Sequence, residues 1–161
     1  MRPGLSACDR STVPFGAGGL SFVEDMSRSL IGRLRSDGRV ATLVRASQDD
    51  LEQRAYDVYH NLGRWLGDKS EEAIAHTYHA AGRRRFGQGV PLSEVVFALI
   101  LVKDHLRDFI RTRGLVDSAV ELYQVEELHL LVSHFFDRAI YHVVRGYEEA
   151  ARLPCSAAKA S

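Results

Sequence analysis

The sequence has no excess of charge of either sign: 21 basic residues are matched by 21 acidic ones. A general nucleic-acid binder carries a basic footprint that displaces counterions from phosphates, so this class is set aside. Long apolar runs are missing too. The longest, Val95 to Val102, is bracketed by Glu94 and Lys103 and is far too short to span a bilayer. Arg2 is followed by no apolar signal core. The reading is therefore a cytoplasmic protein with neither a membrane nor a nucleic acid as partner. Cysteine is scarce. Cys8 and Cys155 lie near opposite termini, which makes neither a disulfide framework nor a zinc site, and reduced thiols suit the cytosol. No segment alternates with the period of a strand, and no internal repeat is visible.

What remains is the composition of one globular domain. In 161 residues, 45% are hydrophobic and 26% charged, enough to bury a core without disulfides or metals. Residues 1–19 are rich in Gly, Pro, Ser and Thr and read as a mobile N-terminal tail. A helical domain is expected over 20–153, with a C-terminal tail at 154–161. Val23, Met26, Leu30 and Leu34 recur at helical spacing, then Ser36-Asp37-Gly38 turns the chain into a short piece with Val40, Leu43 and Val44. Ser47 reads as the N-cap of the next helix, whose stripe is Leu51, Ala55, Val58, Leu62 and Trp65. Gly63 within it is expected to admit a close helix neighbour. Gly67-Asp68-Lys69 closes that helix and Ser70 caps the following one, which runs to about Phe86 with Ile74, Tyr78 and Ala81 on its apolar face.

The clearest helix runs from about Leu92 to Arg113. Leu92, Val95, Val96, Leu99, Val102, Leu106, Phe109 and Ile110 form one face, and Phe97, Ile100 and Leu101 make its first half apolar nearly all round. Gly114 breaks the chain. The last helix, about Asp117 to Arg152, is expected to bend near Gln124 and to stop at Pro154. Val125, Leu128, Val132, Phe135, Phe136, Ala139, Val143 and Tyr147 face one way, while Leu130, Tyr141 and Val144 make a second, narrower stripe. Surplus apolar surface on these two helices marks a partner face. A homodimer through Phe97, Ile100, Leu101, Leu130, Tyr141 and Val144 is the expectation.

No catalytic constellation is legible. Glu71-Glu72, Glu126-Glu127 and Glu148-Glu149 sit as surface pairs, and Asp104, Arg107, Asp108 and Arg111 read as a salt-bridged face. At about 100° per residue, His129, His134 and His142 point too far apart to share one ion. His76 and His79 stand at i, i+3 with no evident third ligand. His105 and His134 are the candidates if a core histidine were to hold haem. The aromatics Tyr56, Tyr59, Trp65, Phe135 and Phe136 read as core. No enzyme activity, cofactor or metal is expected.

The densest signal is the turn from Gly82 to Val96. Gly87 or Gly89 is expected to take the positive φ that ends a helix, and Pro91 suits the next helix's first turn. Arg83, Arg84 and Arg85 read as a solvated helix end. Arg85, Gly87, Gly89, Pro91 and Glu94 are taken as a structural motif. The turn lacks a P-loop's Lys-Ser/Thr and follows a helix, so it does not cradle phosphate.

The run Gly82-Arg83-Arg84-Arg85-Phe86, Gly89-Val90-Pro91-Leu92-Ser93-Glu94-Val95-Val96, Ala98-Leu99, Lys103, Leu106 and Phe109-Ile110 resembles the N-terminal sensor domain of RsbR-type co-antagonists, regulators of bacterial general stress signalling. Related domains precede some histidine kinases. Phe135-Phe136-Asp137-Arg138-Ala139-Ile140, Val143-Val144-Arg145-Gly146-Tyr147-Glu148 and Leu62-Gly63-Arg64-Trp65-Leu66 extend the likeness to about 47–150. The resemblance implies an all-α, globin-like bundle, usually without haem, that dimerises and signals to a C-terminal effector. This chain carries no phospho-acceptor or kinase domain after the last helix, so it is expected to be a free-standing sensor or a fragment, acting on a downstream protein of that type. The expected function is a non-catalytic sensor that passes its signal through the last helix. The alternative is a globin relative that binds haem or a linear tetrapyrrole.

Overall fold

A computed structural model describes residues 19–113 and 118–157, with side chains for 24–112 and 118–153. The tail expected at 1–19 lies outside the described residues except for Gly19, and so do Gly114 and both cysteine side chains. Among the described residues the chain is all-α, with no strand. It forms α1 (Gly19–Ser36), a 3-10 segment (Gly38–Val40), α2 (Ala41–Ala46), α3 (Leu51–Asp68), α4 (Glu71–Gly87), α5 (Leu92–Arg113) and α6 (Ala119–Ala157).

The helix ends follow local chemistry. Ser70 Oγ accepts from the Ala73 N–H at 3.2 Å, and Glu71 and Glu72 sit in the first turn of α4, by the positive end of its dipole. α3 stops where Lys69 adopts φ 50, a left-handed conformation. Ser47 differs from expectation. Its N–H closes α2 onto the Leu43 and Val44 carbonyls, and α3 begins only after Asp50. Ser47 therefore ends one helix instead of capping the next. α6 also exceeds its expected bounds, running unbroken past Gln124 and through Pro154 to Ala157. Proline forfeits one backbone hydrogen bond, but its fixed φ is that of a helix, so a last turn can follow.

α5 lies at the centre. Val95, Ala98, Leu99, Leu101, Val102 and Leu106 are all buried, which accounts for its nearly all-round apolar first half. Leu101, expected on a partner face, belongs to this chain's own core. Phe97 is half-buried under the Arg39 guanidinium, 4.1 Å from its ring centroid, and Ile100 and Val144 are half-buried. Most of the apolar surface of α5 is buried within the fold, because a central helix buries several sides at once, while Phe97 and Ile100 keep part of theirs exposed. On α6, Leu130 and Tyr141 do stand out, 71% and 51% exposed.

α6 supplies the other half of the core through Val132, Phe135, Phe136, Ala139 and Val143. Phe135 meets Phe136 and Tyr78 edge-on at 5.3 and 5.7 Å, and Trp65 at 5.6 Å, so one ring ties α3, α4 and α6 together. α4 lies closely along α6. The contact is made possible by two glycines: a Cβ on Gly82 would run into the Val143 carbonyl, and one on Gly146 into the His79 carbonyl. Gly63, expected to admit a neighbour, has nothing within 4 Å of where its Cβ would be.

Gly82→Ala or Gly146→Ala should therefore destabilise the fold by about 3 kcal/mol, the upper end of overpacking costs, because backbone must move on both sides. Gly63→Ala should stabilise by about 1 kcal/mol, the helix-propensity difference. Urea midpoints of the three variants check both signs.

Candidate functional site

The turn between α4 and α5 is built as a helix-terminating motif. Gly89 has φ +70. Its N–H donates to the Phe86 carbonyl at 2.9 Å, and the Val90 N–H reaches back to Arg85 at 3.1 Å. This is the Schellman pattern, with glycine at the left-handed position. Gly87 is still helical, so Gly89 carries the conformational demand. Pro91 sits just before α5 and its carbonyl accepts from Glu94 and Val95, starting the helix.

The side chains around this turn join four helices. Arg85 was expected to be solvated, but it is only 8% exposed. Its Nη1 donates to Ser47 Oγ at 2.6 Å and to Gln88 Oε1 at 2.9 Å. The placement has a sequence signal: Arg85 follows Tyr78 by seven residues and Ala81 by four, which continues the apolar stripe. Glu94 Oε2 accepts from the Leu43 N–H at 2.9 Å. The residue before α2, Val40, has no acceptor to offer, so α2 is capped from α5. Tyr147 Oη donates to the Val90 carbonyl at 2.8 Å, and its ring meets Phe86 edge-on at 5.3 Å. Arg85, Gly89, Pro91 and Glu94 thus act as one clamp holding the α2–α3 junction, α5 and α6. None of them touches an acid–base partner suited to catalysis.

A second polar cluster, buried at Tyr59 and His105 and exposed at Ser29, links α1, α3 and α5. His105 Nδ1 lies 3.1 Å from Tyr59 Oη, and Nε2 lies 3.1 Å from Ser29 Oγ. Burial, reinforced by the nearby Arg33, holds the imidazole below its ordinary value of 6.5. Burial likewise pushes the Tyr59 phenol up. Both His105 nitrogens are engaged in these contacts. His134 is exposed and stacks on Trp65 at 5.7 Å. His79 and His142 are bonded to Glu149 and Glu71 at 2.8 and 3.1 Å. Among the described residues no three His, Cys, Asp or Glu side chains come together in a way that could hold a metal, and no helix is long and apolar enough to cross a membrane.

A third feature, absent from the sequence reading, is a cavity of about 210 Å³ bordered by α1 to α5 and by Val143 of α6. Its walls are mainly apolar, and Arg84 and Arg85 stand at its edge. Tyr59, Trp65, Phe135 and Phe136 are core as expected, whereas Tyr56 is half-buried and stacks on His60 outside the core; the space left between the core residues is a tertiary property.

Two outcomes test this geometry. Gly89→Val should cost about 1 kcal/mol or more, since a β-branched residue resists positive φ, whereas Gly87→Ala should be neutral or slightly stabilising. Melting temperatures separate the two. For His105, the folded value lies below the unfolded one, so its contribution is present above pH 6.5 and is lost as pH falls toward the folded value. The melting temperature should drop between pH 7 and 5, and His105→Gln should flatten that drop.

The family described as "RsbT co-antagonist protein rsbRD N-terminal domain" matches residues 24–154. The match takes in α1 and α2 as well as the 47–150 segment that carried the resemblance. No curated protein and no solved structure matches the chain at a significant level. The match covers the clamp, the α4–α6 crossing and the whole described core, and so the chain belongs to the RsbT co-antagonist protein rsbRD N-terminal domain family, regulatory domains of stress-response signalling.

Proposed function

We propose that this domain is a non-catalytic sensor in a globin-like arrangement that works as a homodimer and passes its signal through α6 to a downstream phospho-acceptor or kinase-type protein or domain. One observation carries the reading. α6 extends for 39 residues, roughly 58 Å at 1.5 Å per residue, and has two apolar faces. One holds Phe135, Phe136 and Ala139 in the core. The other presents Tyr123, Leu130 and Tyr141 to solvent. At 100° per residue these three fall within about 20° of one another, opposite the core face. Such a seam is what a second copy of the same helix would cover.

The same helix is thus tied to the core on one side and available to a partner on the other. A stimulus that repacks the core shifts α6 only if it binds the two packings unequally. Shifts of helices at subunit interfaces are a known switching mode. The Tyr147–Val90 hydrogen bond adds a direct link from the clamp to the last turns of α6.

Sedimentation equilibrium at micromolar concentration should give a dimer. Leu130→Glu with Tyr141→Glu should halve the mass while leaving the helical circular-dichroism signal intact. Leu101 is unsuited to this test, because charge at a buried core position unfolds the chain. Spin labels at residue 150 on both subunits should change their distance with stimulus or partner. A monomeric wild type, or a fixed distance while downstream signalling changes, refutes the proposal.

A further inference from the structure

The cavity between α3 and α4 has an unusual charge pattern. Its floor is apolar, with Leu30 and Leu34 from α1, Leu51 from α3, and Val95 and Leu99 from α5. Three guanidinium groups and two carboxylates line or adjoin its rim. Arg54 is neutralised by Asp50 at 2.8 Å. Asp57 accepts from the Gln53 amide at 2.8 Å. Arg84 and Arg85 form no ion pair within 4 Å among the described residues, although Asp50 attracts both at longer range and Asp57 attracts Arg84. Arg84 makes no hydrogen bond or ion pair there, and Arg85 bonds only the neutral Ser47 and Gln88, through Nη1 alone. Its Nη2 and Nε keep their donors uncommitted.

Arg85 is buried without an ion pair, which disfavours its charged form, while its neighbour Arg84 is exposed. Burial first, and then Arg84 and Arg54, hold the Arg85 guanidinium below its ordinary value, against the pull of Asp50. Tyr78, which also lines the cavity, has its phenol oxygen buried with no hydrogen-bond partner; Asn61, on the same wall, does not reach hydrogen-bond geometry. The arrangement has apolar walls, one orphan hydroxyl and a pair of forked donors at one end.

We propose that this cavity binds a small apolar carboxylate, with its hydrocarbon chain among Leu30, Leu34, Leu51 and Leu99 and its carboxylate on Arg84 and Arg85. The guanidinium fork matches a carboxylate with two parallel hydrogen bonds. The volume, about 210 Å³, lies below that of sites for drug-sized ligands, which favours a short chain over a ring system or a nucleotide. This assignment rests on the sensor reading and supplies its ligand class: an anion that fills the space between α3 and α4 also relieves the Arg84–Arg85 repulsion beside the clamp.

The test uses the full chain and three probes by isothermal titration calorimetry: octanoate, 1-octanol and acetate. Octanoate should bind saturably with one site per chain. Octanol, with the same chain and no charge, should bind about tenfold more weakly or worse, and acetate should not bind. Arg84→Gln, which removes no protein hydrogen bond, should leave the melting temperature unchanged and weaken octanoate several-fold. Arg85→Gln should weaken it further if the variant folds. Ala81→Leu, on the cavity wall, should block octanoate in a folded chain. Equal binding of octanol and octanoate, no binding of octanoate, or binding indifferent to Ala81→Leu and Arg84→Gln overturns the assignment. If octanoate fails to bind while the residue-150 distance still responds to stimulus, only the ligand class falls. If octanoate binds and neither that distance nor downstream output responds to it or to stimulus, the sensor reading falls.

Discussion

The close crossing of α4 and α6 at Gly82 and Gly146 is the constraint on which the other contacts depend. Two backbones approach so nearly that each glycine faces a carbonyl of the opposite helix. That proximity brings Tyr78 onto Phe135, Phe86 onto Tyr147 and His79 onto Glu149. Widening the crossing by one methyl group would separate all three pairs together, since they lie on the same two rigid cylinders. α3 and α5 then pack around an existing α4–α6 pair. Trp65 reaches the same Phe135 ring from α3, and α5 fills the remaining side with Val95, Leu99 and Val102.

The clamp at the α4–α5 turn shows how a short polar network can organise a mostly apolar fold. Its hydrogen bonds satisfy buried polar groups that would otherwise be orphaned: the third amide of α2, the carbonyl of fully buried Val90, and the side-chain hydroxyl of Ser47. Leaving such groups unpaired in the interior costs more than the bonds themselves contribute. The clamp is therefore specific. Glu94 must come from α5 to cap α2, and Arg85 must fold inward to meet Ser47. The same inward turn leaves Arg85 without an ion pair and places its free donors at the cavity, so structural and binding demands fall on one side chain.

The polar chemistry of the molecule is divided in space. The surface carries paired charges, such as Arg111 with Asp108 and Arg152 with Glu148, at exposures where each contributes little. Two groups of a different kind reach from the interior to the surface: the chain from buried Tyr59 and His105 to exposed Ser29, and buried Arg85 beside exposed Arg84 at the cavity. The first is satisfied by neutral partners and ties α1 to α3 and α5. The second forms no ion pair within 4 Å, although Asp50 attracts both guanidiniums at longer range.

Periodicity placed most of the helices, though not the start of α3 or the course and end of α6. The α5 bounds, the Ser70 cap and the stop at Lys69 follow from apolar spacing, side-chain acceptors and turn residues that act within a few positions. The all-α class and the family were legible for the same reason, since the Gly82–Ile110 segment is local. Gly89's positive φ was narrowed to two residues by composition, and geometry chose between them. Tertiary structure decided what depends on neighbours distant in the chain. Ser47 became a receptor for Arg85, Leu101 became core, Gly146 served α4 within its own chain, and Glu94 capped a helix 51 residues away. Sequence spacing shows which side chains share a face of one helix. It does not show which face of another helix will meet them, and the cavity exists only in the gap between such faces.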